Sequence, residues 1–218
     1  MALTSLPFPL PFLVVGAALL TVVAGCGGEQ NAVRTDVEEE IARIQEENAP
    51  AGSKMRLTSP AFEHRQPIPK RYTAEGEDVS PPLAWEGVPE GTVAFALLVS
   101  DPDAPSPEQP ADQPWIHWVL YDLPGDRRDL PEDWDREVMS HKFDSGLSGL
   151  NSWPDDNVGY RGPDPPPGSG AHRYVFTLYA LDSRLDLDPA QTTHADVLTA
   201  MNGRILDSAT LIGTYEVK

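Results

Sequence analysis

The chain has 218 residues, of which 34 are acidic and 16 basic, for a formal net charge of −18. An acidic field of that size disfavours nucleic acid and anionic membrane surfaces as partners and favours solubility. The length suits one domain of ordinary size with a real core, and the single cysteine, Cys26, excludes an intramolecular disulfide. With 23 prolines and 8% aromatic residues, the composition is that of a chain of ordered turns, not of a disordered one.

The first informative segment is an apolar run from Phe12 to Ala24 that includes Leu13, Val14, Val15, Leu19, Leu20, Val22 and Val23. It is short for a transmembrane span but fits the apolar region of a signal peptide. Val23-Ala24-Gly25-Cys26 resembles the bacterial lipobox, in which the cysteine becomes the lipidated first residue of the mature protein. That resemblance implies a lipoprotein signal peptide over 1–25 and a lipid anchor on Cys26. It also implies a domain held outside the cytoplasm, on a membrane of the bacterial cell envelope. Stable anchoring takes more than one acyl chain, which such a cysteine supplies. The alternative is a plain secretory signal that leaves a free thiol; the opening residues MALTSLPF lack the Lys or Arg of a usual signal. Residues 26–53 read as the lipidated cysteine and a spacer with helical tendency. Val33, Val37, Ile41 and Ile44 form a narrow helical stripe, marginal by itself in water; a small docking helix is the other reading.

The folded domain spans 54–218. MRLTS predicts a first strand, and the proline-punctuated stretch from Ile68 to Thr92 predicts mostly turns. Val93 to Ser100 is a near-continuous apolar run of strand length, as in a strand buried on both faces. Ile116 to Leu123, Arg173 to Leu181 and Thr210 to Val217 predict three more strands. Long proline-rich connections without helices of β-α-β spacing predict a mostly β, antiparallel sandwich. Thr193 and Asp196 form a capping box ahead of a helix whose apolar face is Val197, Leu198, Met201 and Ile205. Trp85, Trp115 and Trp118 are expected as core or pocket-wall aromatics, and His64, His141 and His194 as surface residues.

Two stretches carry the chemistry. DPDAP places Asp101 and Asp103 on one side of an extended segment, with Pro102 and Pro105 stiffening it. Two close acids are unfavourable unless a cation, a donor or a shared proton relieves them. His117 follows on the next strand. GYRGPDPPPGSGAHRY, from Gly159 to Tyr174, is a stiff loop whose Gly162, Gly168 and Gly170 permit tight turns and close backbone approach. Such a loop next to His172 is a preordered cradle for a small group. No P-loop, zinc pattern or nucleophile elbow occurs, so the reading contains no cofactor, no metal and no catalytic residue.

These stretches, together with GEDVSPPLAWEGVPEGT (76–92), WIHWVLYDLP (115–124) and GRILDSATLIGTYE (203–216), resemble the phosphatidylethanolamine-binding protein family in its bacterial Raf-kinase-inhibitor-like branch. The resemblance implies a two-sheet antiparallel Greek-key sandwich with a few peripheral helices. It implies a pocket of Asp101, Pro102, Asp103, Trp115, His117, Pro166, His172 and Tyr174 that takes small anions or phosphate-bearing groups such as phosphoethanolamine. A kinase or protease partner follows from the same analogy. In this picture His117 and His172 donate to phosphate oxygens, while Asp101 and Asp103 receive an ammonium or orient the imidazoles. A zwitterion or monoanion is preferred over a dianion. Arg161 and Asp164 stand where relatives often carry Gly and a small residue or Cys. The rival readings are a metal-assisted phosphoester hydrolase using the Asp/His pocket, and a purely structural envelope protein.

Overall fold

The computed structural model describes residues 54–134, 146–154, 158–189 and 191–218, which belong to one compact unit. Cys26, the segments expected to be a signal peptide and a spacer, and His141 lie outside the described residues. Nine strands and one α-helix are present among those described. They are β1 (Arg56–Thr58), β2 (Gln66–Pro67), β3 (Leu83–Glu86), β4 (Ala94–Asp101), β5 (Trp115–Pro124), β6 (Asp129–Leu130), β7 (Leu147–Ser148), β8 (His172–Leu181), α1 (His194–Met201) and β9 (Ile205–Tyr215).

The strands form a three-stranded sheet, β1-β3-β6, and a six-stranded sheet, β2-β9-β8-β4-β5-β7. Neighbours are antiparallel except for β2, which runs parallel to β9 at the sheet edge. β8 lies between β4 and β9, so the chain crosses between strands instead of meandering. The main core fills the space between the sheets: Leu57, Leu83, Trp85 and Leu130 from the smaller one meet Phe95, Leu97, Trp118, Leu120 and Phe176 from the larger. A second apolar cluster, with Ala96, Leu98, Val119 and Tyr121, lies under Val197 and Met201 of α1. β4 is therefore buried on both faces, as its continuous apolar run requires, whereas β8 alternates between buried and half-buried residues.

The structure differs from the sequence expectations at particular points. Leu83–Glu86, expected among turns, is a strand paired with β1. β9 starts at Ile205 instead of Thr210, so Ile205 belongs to a strand and not to the helix, and Leu198 is exposed. The capping box is present: Thr193 Oγ1 accepts the Asp196 N–H, and the Asp196 carboxylate accepts the Thr193 N–H at 2.9 Å. His64 is exposed and His194 half-buried.

Candidate binding cleft

Strand register delivers the site. Asp101, the last residue of β4, pairs with Trp115, the first of β5. On its other side Ser100 pairs with Val175, which brings His172 and Tyr174 at the start of β8 to the same end of the sheet. Alternation puts these two in the row that continues through Phe176 and Leu178 into the core. A cleft of about 370 Å³ opens where that row ends. Its walls come from Asp101, Ala104, Pro105, Ala111, Gln113, Trp115 and His117, from Trp153, Asp164, Pro165 and Pro166, and from His172 and Tyr174. The Ala104–Pro105 bond is cis.

Two sets of hydrogen bonds fix the loops. His117 Nδ1 donates to the Arg161 carbonyl at 2.7 Å, and the Arg161 N–H donates to the His117 carbonyl at 3.0 Å. This clamps the loop of 159–171 against β5. The Ile116 N–H donates to Ser152 Oγ at 2.9 Å, and the Ser152 N–H returns to the Ile116 carbonyl at 2.9 Å. Trp153 is thereby set next to His117, with ring centroids 5.0 Å apart.

The two acids do not share a partner. Asp101 Oδ1 accepts the Asp103 N–H at 2.8 Å, and its Oδ2 lies 2.8 Å from His172 Nδ1. Burial pushes the Asp101 carboxyl above its ordinary value, against the pull of His172 and the Asp103 N–H. Asp103 turns to Arg173 instead. Its Oδ2 accepts the Arg173 backbone N–H at 2.8 Å and Nε at 2.9 Å, and its Oδ1 accepts Nη2 at 2.8 Å. Burial would raise this carboxyl, but the guanidinium fork outweighs it and holds Asp103 below the usual range.

The histidines differ from the expectation that both donate to a ligand. His172 is wholly buried, with Nδ1 on Asp101 and Nε2 3.0 Å from Ser169 Oγ. Both nitrogens are engaged. The order Ser169–His172–Asp101 is that of a nucleophile triad, but Ser169 is not a wall residue of the cleft. For His117, a carbonyl can only accept, so Nδ1 carries the hydrogen. Burial lowers its pKa to about 4, so the ring is neutral at pH 7 and Nε2 is an acceptor. Tyr174 is the converse: its side chain is 1% exposed and its hydroxyl has no hydrogen-bond partner. Burial, assisted by Asp101, pushes that hydroxyl further up.

The sequence model described as phosphatidylethanolamine-binding protein matches residues 58–216. The chain belongs to the phosphatidylethanolamine-binding protein family. It is 45% identical over 161 residues to a UPF0098 protein of Methanothermobacter thermautotrophicus, covering 74% of this chain and 98% of that one. Over 210 residues it is 32% identical to a Mycobacterium tuberculosis protein that carries the lipoprotein name LppC, covering 94% of this chain and 96% of that one. Among solved structures, E. coli YbcL superposes with a TM-score of 0.67 at 29% identity over 76% of this chain and all of that one. A phosphatidylethanolamine-binding protein homologue of Chlamydia trachomatis gives 0.64 at 38% identity over 77% and 100%.

Of the eight pocket positions carried over from this family, Asp101, Trp115, His117, Pro166, His172 and Tyr174 stand on the cleft wall. Pro102 and Asp103 do not: Pro102 stiffens the turn, and Asp103 is bound to Arg173. Trp153 and Gln113 are wall residues that the sequence reading lacks. Of the two residues that the resemblance marks as departures from the family pattern, Asp164 is on the wall and Arg161 is not. The Arg161 guanidinium lies over the Trp153 ring at 5.5 Å, with Nε 3.6 Å from Asp78 Oδ2. No Lys or Arg lines the cleft among the described residues. No helix among them is long and apolar enough to cross a membrane.

Proposed function

We propose that this family member is a membrane-tethered binding protein of the bacterial cell envelope, whose cleft takes a small phosphate-bearing or anionic group, best a phosphoethanolamine-like headgroup. The observation that carries this reading is the buried, unpartnered Tyr174 hydroxyl on the cleft wall, next to the neutral ring of His117. A buried donor without an acceptor costs about 1–3 kcal/mol, and a phosphate oxygen would relieve it. A phosphomonoester in its monoanionic form also carries a P–OH hydrogen that neutral Nε2 can accept, which a phosphodiester lacks. A dianion has no such hydrogen and would face the carboxylates of Asp101 and Asp164. A zwitterion gives those carboxylates an ammonium to attract.

The tether is supported by the lipobox-like residues before Cys26, and by likeness to LppC over 94% of the chain, more than the domain alone spans. Binding is favoured over metal-assisted hydrolysis by the state of the acids. Asp103, which such a site would need as its second acidic ligand, is held by Arg173. No group of three or more His, Cys, Asp or Glu suited to a metal occurs among the described residues.

Calorimetric titration with phosphoethanolamine, orthophosphate and acetate tests the reading, with His117→Ala as control. Saturable binding of phosphoethanolamine that the variant loses supports it. Heats that are absent for all three ligands with a folded protein refute it.

A further inference from the structure

Beside the cleft three side chains stand in relay. Ser169 Oγ lies 3.0 Å from His172 Nε2, and His172 Nδ1 lies 2.8 Å from Asp101 Oδ2. Asp101 Oδ1 accepts the Asp103 N–H at 2.8 Å, which fixes the plane of the carboxylate. An ionised carboxylate can only accept, so His172 Nδ1 carries the hydrogen and Nε2 is the acceptor for the Ser169 hydroxyl. That is the nucleophile, base and orienting acid of a serine hydrolase. The fold sets the pairing: Asp101 ends β4, His172 begins β8, and the two strands are antiparallel neighbours. His172 and Asp101 are buried, at 0% and 3% exposure, whereas Ser169 is half-buried. The nucleophile is thus the member that meets solvent.

The loop around Ser169 agrees with that role. Its neighbours Gly168 and Gly170 have φ values of +78° and +93°, left-handed backbone that glycine adopts readily. A Cβ built on either would meet nothing within 4 Å, so the space flanking Ser169 is open to a planar carbonyl group. The turn itself is held: the Gly168 N–H donates to the Val217 carbonyl at 3.2 Å, and the Ser169 N–H to the Pro166 carbonyl at 3.0 Å. Pro163, Pro165, Pro166 and Pro167 stiffen the chain leading to it. The next amide, the Gly170 N–H, has no backbone partner among the described residues. The residue after the nucleophile is where hydrolases of this kind take a donor for the oxyanion. With one such donor the arrangement suits esters, because an alcohol leaves more easily than an amine.

We infer that Ser169, His172 and Asp101 form an acyl-transfer site for small carboxylic esters. Ser169 Oγ bonds to the ester carbonyl carbon while His172 Nε2 takes the hydroxyl proton. The bond from that carbon to the leaving oxygen then breaks, and the proton passes from Nε2 to the departing alcohol. Water, giving a proton to the same nitrogen, attacks the acyl-serine; the carboxylic acid leaves and the proton returns to Ser169. Ser169 and His172 are the catalytic residues, and Asp101 is a positioning residue that holds the ring in the reactive tautomer. The inference does not rest on the headgroup reading, since Ser169 is not on the cleft wall.

The test uses the full-length protein in an uncharged detergent without ester bonds. A fluorophosphonate probe and p-nitrophenyl acetate are applied to the wild type, Ser169→Ala and Asp101→Asn, with thermal melts to establish that each is folded. Ser169 is half-buried beside open space, so its replacement leaves the fold intact. The probe should attach to Ser169, located by peptide mass spectrometry, at least about 100-fold faster than to any other serine, the gain that general-base assistance supplies. Release of p-nitrophenol, as a burst or as steady turnover, should fall in Ser169→Ala to the rate of unassisted surface chemistry. Asp101→Asn should slow acylation by at least about 100-fold and shift its pH profile, which a merely structural role would not do. Equal labelling of the wild type and Ser169→Ala, or no labelling of the folded wild type, overturns the inference. Probe attachment without p-nitrophenol release above that of Ser169→Ala overturns it as well. Titration with phosphoethanolamine reads the cleft separately, so failure of one reading is distinguishable from failure of the other.

Discussion

The neutral state of His117 has a consequence for stability that can be measured without any ligand. Its ring is buried, and its pKa falls from the ordinary 6.5 to about 4. Between those pH values the unfolded chain binds a proton at this position and the folded chain does not, so stability rises with pH across that window and is lost on acidification. Each factor of ten in proton affinity is worth about 1.4 kcal/mol, so the loss between pH 7 and pH 4 amounts to about 3 kcal/mol. For a domain of this size that corresponds to a fall in Tm of about 6–12 °C. Asp103 adds acid sensitivity of its own, because its lowered carboxyl stabilises the fold only while ionised. The comparison must therefore be with His117→Gln, whose amide can still donate to the Arg161 carbonyl but cannot titrate. Scanning both proteins from pH 7 to pH 4 should show a clearly smaller drop in Tm for the variant. Parallel curves would refute the claim that this ring is held neutral by burial.

Other consequences follow from the same contacts. Arg173→Ala removes the fork that holds Asp103 and leaves one backbone N–H; because Arg173 is a third exposed, the loss should be about 2 kcal/mol, below the range for fully buried pairs. Denaturant midpoints would show it, and Arg173→Lys should restore only part, lacking the bidentate geometry. In Gly162→Ala the new Cβ would stand 2.4 Å from the Tyr72 carbonyl oxygen and 2.9 Å from Asp78 Oδ1. Backbone must move to relieve that contact, and a loss of about 1–3 kcal/mol is expected from chemical denaturation. Cys26→Ser should release the protein from the membrane fraction and abolish incorporation of labelled fatty acid; continued labelling would refute lipidation at Cys26.

What the sequence disclosed and what it hid have physical causes. The continuous apolar run of β4 and the alternation in β8 are direct consequences of burial on two faces or one, so both strands could be read. The Thr193–Asp196 cap was legible because its bonds are local. Ile205 misled: its spacing from Met201 fits a helix, but Gly203, with φ of +76°, lets the chain turn out of the helix and into β9. DPDAP announced two acids in need of relief without saying what relieves each. Arg173 is 70 residues away, and only the register of β4 with β8 brings it to Asp103. Trp153 sits in no recognisable pattern, and its place on the wall depends on bonds between Ser152 and Ile116. His172 and His117 look equivalent in sequence. They differ because one ring lies between Asp101 and Ser169, and the other gives its hydrogen to a carbonyl.

The most direct test of the cleft as a phosphate-binding site is the affinity of phosphoethanolamine for the wild type and Tyr174→Phe. The variant removes one hydroxyl that has no partner in the protein. It should bind about tenfold more weakly, as expected for loss of a hydrogen bond to a charged group, while its Tm stays the same or rises. Equal affinity in the two proteins, or a fall in Tm that shows the hydroxyl to be part of the fold, would contradict the account.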